Sequence, residues 1–114
     1  MEARGRDGCV RFDGRFVTIT PEGLLGRMRR RTSASLQAPI GYVVAVQWRP
    51  AGYWNPGFIH IIGAQDRAFG GWSFHHLRKA AASPKAVCFD RWQQPRFEEL
   101  RSVLEHAIAQ RPGA

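Results

Sequence analysis

A chain of 114 residues with 44% hydrophobic content, four Trp and seven Phe holds enough apolar material for one core, but not for two or for lasting disorder. Seventeen Lys and Arg against nine Asp and Glu leave a net charge of +8, which favours polyanions: nucleic acid, an anionic membrane face or an acidic protein patch. No run approaches the roughly 18 apolar residues of a membrane span, and Met1 to Asp7 lacks the apolar core of a signal peptide, so a soluble, cytoplasmic protein is expected.

Residues 1–8 are rich in Gly and charge and read as a disordered or frayed terminus, which leaves 9–111 as a single domain. Val10 to Phe12 and Arg15 to Thr20 then read as a hairpin around Asp13-Gly14, a pair that supplies the positive φ of a two-residue type I′ turn. Phe12, Ile19 and either Phe16 or Val17 share one face. Pro21-Glu22-Gly23 is a turn and Leu24 to Met28 a third strand. Arg29 to Ser35, small, polar and basic, is read as an exposed hairpin tip, followed by a fourth strand from Ser35 to Ala38.

Pro39 to Tyr42 breaks the pattern before a fifth strand from Val43 to Pro50. Strict alternation puts Val44, Val46 and Trp48 on one side and Val43, Ala45 and Gln47 on the other. A Pro/Gly loop with Tyr53 and Trp54 leads to a sixth strand, Phe58 to Ile62. Gly63 to Pro84 carries Phe69, Trp72 and Phe74 and reads as a long connection, and Ala86 to Phe89 is a last short strand. Phe97, Leu100, Val103, Leu104, Ala107 and Ile108 recur at three- and four-residue spacing, the stripe of an amphipathic helix that opens on Pro95 and ends before Pro112-Gly113. Such a stripe needs a partner, and the sheet made by the preceding strands is the large apolar face on offer.

Two sets of side chains stand out as binding candidates. Arg27, Arg29, Arg30 and Arg31 would present guanidinium groups to phosphates or carboxylates; the plainer reading is a solvated basic tip. Tyr53, Trp54, Trp72 and Phe74 would offer rings to a protein interface or a lipid headgroup layer, against the plainer reading that they fold back over an open sheet edge. Chemistry is poorly supported by contrast. His75-His76 are adjacent and diverge, Cys9 and Cys88 have no ligand spacing, and Glu98-Glu99 is accounted for by the helix dipole. Neither a G-x-S-x-G nucleophile nor a phosphate-cradling loop occurs. The expectation is no catalytic residue, no metal and no cofactor.

Phe12-Asp13-Gly14 into Val17-Thr18-Ile19, then Pro39-Ile40, Ala45 to Gly52, Gly57-Phe58-Ile59, Val87-Cys88-Phe89 and Phe97 to Arg101 together resemble an uncharacterised actinobacterial domain family with a bacterial pleckstrin-homology-like fold. The chain departs from that pattern at Arg29-Arg30-Arg31, where a Gly-containing turn is usual. The resemblance implies an α+β, mainly β fold: a partly open antiparallel barrel of about seven strands capped by one C-terminal amphipathic helix. It transfers no catalytic residue and implies an adaptor role, and because related domains of bacteria assemble into rings it admits a homo-oligomer. The expected function is a non-catalytic interaction module for an acidic or hydrophobic partner protein, in a protein of cellular or phage origin. Recruitment to anionic lipid through the basic hairpin stands second and nucleic-acid binding third.

Overall fold

The computed structural model describes residues 1–23, 35–64, 66 and 85–110. Within them the seven strands are β1 (Glu2–Arg4), β2 (Gly8–Phe12), β3 (Phe16–Pro21), β4 (Leu36–Pro39), β5 (Val43–Arg49), β6 (Gly57–Gly63) and β7 (Ala86–Phe89), and the one α-helix is α1 (Gln94–Gln110). They make two antiparallel sheets, ordered β1-β2-β3-β4 and β5-β6-β7, and a 3-10 turn at Ile40–Tyr42 carries the chain from one to the other. The sheets face each other across one core without closing into a barrel among the described residues, and α1 caps the assembly. This is the mainly β, partly open architecture with a C-terminal helix that the residues predict. The third predicted strand, Leu24 to Met28, lies outside the described residues.

Local chemistry accounts for the first hairpin. Asp13 Oδ1 accepts hydrogen bonds from the backbone N–H groups of Arg15 and Phe16, both at 2.8 Å, and Gly14 takes a φ of 100° that a side chain would resist. The Asp13 N–H donates to the Phe16 carbonyl at 3.3 Å, so the central residues are Gly14 and Arg15, one position later than the sequence suggests. That shift decides the face: Phe12 pairs with Val17, both buried with Ile19, and Phe16 turns outward.

Two further expectations are corrected. The first residues are not frayed: β1 pairs with β2 through Glu2, Ala3 and Arg4, and Ala3 is buried against the core. A three-residue strand with one apolar side chain has no legible alternation, and its burial comes from distant parts of the chain. Arg96 Nε of α1 donates to the Glu2 carbonyl at 2.9 Å, across 94 positions. Just beyond β1, the Arg6 N–H donates to the Cys88 carbonyl and the Cys88 N–H to Asp7 Oδ1, each at 2.9 Å, so the outer edge of β7 is closed by residues expected to be loose. On β5, the register shifts between Val43 and Ala45, a bulge that turns Val43 into the core together with Val46 and Trp48 and leaves Val44 exposed.

The helix buries Phe97, Leu100 and Leu104 completely, while Val103, predicted on the same stripe, is 40% exposed. Each of the three buried side chains contributes about 1.5–3 kcal/mol of apolar burial. Phe97 stacks on Phe89 at 4.6 Å between centroids, and Phe89 lies 5.0 Å from Trp48, so one aromatic column joins α1 to β7 and β5. No helix among the described residues is long and apolar enough to cross a membrane.

His60, on the face of β6 opposite Ile59 and Ile61, is buried, with Nδ1 3.1 Å from Gln47 Oε1. Burial pushes its pKa down to about 4, with Lys85 adding to the effect and Asp66 opposing it. The fold therefore holds His60 neutral, whereas the unfolded chain protonates it below about pH 6.5. Its contribution is whole above that pH and is lost as pH falls towards 4, at up to about 1.4 kcal/mol per unit. Urea titrations at pH 7, 6, 5 and 4.5 should show a steeper loss for the parent than for His60→Asn; parallel curves would mean that His60 titrates normally in the fold.

Candidate interaction surface

At one end of the β5–β6 hairpin the connecting loop is held rather than loose. The Gly52 N–H donates to the Asn55 carbonyl at 2.9 Å, and the Ala51 N–H donates to Gln94 Oε1 at 2.7 Å, which ties the loop to the start of α1. On the other side Asp90 and Gln93 close the β7–α1 turn: the Asp90 N–H donates to Gln93 Oε1 at 2.8 Å and the Gln93 N–H to the Asp90 carbonyl at 3.0 Å. Gly57 ends the loop where a Cβ would lie 2.4 Å from the Arg49 carbonyl oxygen and 2.7 Å from the Phe89 ring, so only glycine lets the strand pass this close.

On these braced turns stand three of the most exposed apolar side chains of the described residues. Tyr53 is 78%, Trp54 91% and Trp92 78% exposed. Tyr53 and Trp54 meet at 6.0 Å with their planes at 54°, and the Arg91 guanidinium lies 4.3 Å from the centre of the Tyr53 ring, a cation–π contact that links the two turns. Trp92 follows directly on Arg91. Together the three rings expose on the order of 500 Å² of largely apolar surface, the size at which a patch on a single chain signals an interaction site. The Arg91 guanidinium on Tyr53 adds a cation to the exposed rings of this aromatic tip.

The sequence singled out Tyr53 and Trp54, and the structure sets Arg91 on Tyr53, with the exposed Trp92 next to it in sequence; sequence reasoning missed both Arg91 and Trp92. A signal was present: Trp92 sits among polar residues ahead of the helical stripe, where no periodic position turns it inward. Trp72 and Phe74, proposed as part of the same surface, lie outside the described residues, as do Arg27, Arg29, Arg30 and Arg31 and the pair His75-His76. Both cysteines are buried and unbridged, and burial pushes the Cys9 thiol up to about 11, so it stays protonated.

Charge is distributed unevenly. All nine Asp and Glu lie among the described residues, together with nine of the seventeen Lys and Arg, so this part of the protein is neutral. Its charges are largely spent on one another: Glu2 with Arg4 and Arg11, Arg6 with Asp90, Asp66 with Lys85, and Arg96–Glu99 and Arg101–Glu105 along α1. Hydrogen bonds from Arg11 and then Arg4 hold the Glu2 carboxyl below the usual carboxylate range. The eight remaining cations, with no acid among them, are Arg27, Arg29, Arg30, Arg31, Arg67, Arg78, Lys79 and Arg111, in the stretches 24–34, 67–84 and 111–114.

The stretches 67–84 and 111–114 leave the described residues away from the aromatic tip. The tip lies beyond the Arg49–Phe58 pair, whereas Asp66 follows the Val43–Gly63 pair at the other end of the hairpin, about 20 Å away at strand spacing. Helix α1 begins at the tip and also packs on Ile40–Tyr42, which precedes β5 at the opposite end. Compared with known families, the chain matches the profile of a domain of unknown function, DUF4429, over residues 10–104. No curated protein and no solved structure matches it.

Proposed function

The chain belongs to the DUF4429 family, and from that premise and the geometry above we propose that it is a non-catalytic, pleckstrin-homology-like interaction module of the cytoplasm that binds a partner protein through its aromatic tip. The observation that carries this reading is the exposure of Tyr53, Trp54 and Trp92 on turns that are hydrogen-bonded into place. Leaving two tryptophans in water is unfavourable for an isolated chain and useful to one that docks, because rigid aromatic anchors lose little conformational freedom on binding. Arg91, held on Tyr53, gives the tip a preference for a partner whose apolar surface is flanked by acid. Affinity capture with the parent and with a Trp54→Ala/Trp92→Ala variant as baits tests the reading: partners retained by the parent and lost by the variant support it, and identical captures refute it.

A second reading, recruitment to anionic membrane, is favoured by the confinement of eight cations to three stretches of sequence that contain no acid. Replacing Arg29, Arg30 and Arg31 together by Ser should weaken flotation with phosphatidylglycerol vesicles on the order of 100-fold, at about 1 kcal/mol per arginine, without moving the melting temperature. Flotation that is unchanged, or insensitive to salt, would remove these arginines from consideration. The same variant assayed by electrophoretic shift of labelled DNA or RNA addresses nucleic-acid binding.

A further inference from the structure

Among the described residues, one hydrogen bond and one cation–π contact run from the tip loop, Ala51 to Asn55, to other parts of the fold: the Ala51 N–H to Gln94 Oε1 at 2.7 Å, and the Tyr53 ring to Arg91 at 4.3 Å. Both end on the turn that opens α1. The cation–π contact lies in solvent and tolerates sliding, whereas the hydrogen bond is partly buried and directional. The bond therefore sets the base of the loop, and with it the direction in which Tyr53 and Trp54 project.

A glutamine can turn either end of its amide to a neighbour, and only the oxygen accepts from Ala51. Glu98, one turn further along α1, decides between the two. Gln94 Nε2 donates to Glu98 Oε1 at 2.8 Å, and because a carboxylate only accepts, this contact turns the amide nitrogen away from the loop and leaves Oε1 facing it. Residues four apart on a helix are neighbours, so the backbone of α1 keeps the pair together. Gln93 works differently: its amide oxygen takes the Asp90 N–H and closes its own turn, while Gln94 reaches across to another element.

We propose that Gln94 is a positioning residue for the aromatic tip, its amide oriented by Glu98, and that the relay from Glu98 through Gln94 to Ala51 fixes the rings before a partner arrives. The inference rests on the reading of the tip as the docking surface and adds two residues that act on it through the loop. A loop ordered in advance loses less freedom on binding than one the partner must order, so the relay contributes to affinity from outside the contact.

The test uses the full chain labelled with nitrogen-15 and needs no partner for its first part. In Gln94→Ala, hydrogen exchange of the Ala51 amide should quicken about tenfold or more, and relaxation of the Trp54 indole N–H should report a more mobile ring while that of Trp92 stays as in the parent. Glu98→Gln should move both in the same direction by less, because an amide at position 98 pairs with either end of Gln94. Exchanging the two residues, Gln94→Glu/Glu98→Gln, should restore both: a carboxylate at 94 accepts from Ala51 and from the new amide at 98, a rescue that a merely structural residue does not give. An unmoved Ala51 amide and Trp54 indole in Gln94→Ala, or an exchanged pair that stays as loose as Gln94→Ala, would overturn the proposal. In affinity capture, partners that depend on Trp54 and Trp92 should be retained about tenfold less by Gln94→Ala and as well as the parent by the exchanged pair; equal retention by all three would also overturn it. Failure of the tip reading shows separately, as identical captures by the parent and Trp54→Ala/Trp92→Ala. Glu98 is exposed, so Glu98→Gln and the exchanged pair decide the matter even where Gln94→Ala fails to fold.

Discussion

Replacing Trp54 and Trp92 together by Ala is expected to abolish partner capture while leaving the melting temperature within about 2 °C of the parent. Both halves of that outcome follow from exposure. At 91% and 78% exposed, the two rings make little contact with the rest of the chain, so their removal creates no cavity and strands no polar group. On a partner, each would be an anchor of the kind that costs about 2 kcal/mol or more on truncation, and the pair should weaken binding on the order of 1000-fold. Equilibrium binding of the captured partner and a thermal melt measure the two quantities separately. Weakened binding with a large drop in melting temperature would instead identify the rings as part of the packing. Arg91→Ala should have a smaller effect, because it removes the 4.3 Å contact that holds Tyr53 and leaves the tryptophans in place.

The second large effect belongs to the core. Phe97 is fully buried and forms the helix end of the Trp48–Phe89–Phe97 column, so Phe97→Ala should cost about 3–5 kcal/mol. For a domain of this size that is a fall of roughly 15 °C in melting temperature, a large part of the whole margin of stability. Val103→Ala, one turn and a half further along the same helix but 40% exposed, should cost less than about 1 kcal/mol. The contrast tests which side of α1 faces the sheets: equal losses at the two positions would mean that the helix is rotated from the face described here.

Much of the scaffold was readable in the residues because it obeys short-range rules. Asp13-Gly14 announces a turn, the β-branched runs at Val43 to Val46 and Ile59 to Ile62 announce strands, and the spacing of Phe97, Leu100 and Leu104 announces a helix face. What escaped was set by contacts distant in sequence. β1 is held by α1 and β2, a relation that Glu2-Ala3-Arg4 cannot advertise. The bulge at Val43 to Ala45 answers to the corner made by Ile40–Tyr42, and strict alternation has no way to register it. At the candidate surface, Tyr53 and Trp54 were visible as rings in a polar loop, whereas Arg91 reaches Tyr53 only because the β7–α1 turn comes alongside.

The closure of the fold by its two extremes has a bearing on synthesis. Glu2 waits for Arg96, and Asp7 waits for Cys88 across 81 positions, so the opening strand is held by β2 alone until α1 has left the ribosome. Until then the nascent chain displays the apolar face that Phe97, Leu100 and Leu104 come to cover, the kind of surface that recruits chaperones or drives aggregation. Variants that loosen α1 should therefore be recovered in inclusion bodies before they show any loss of binding.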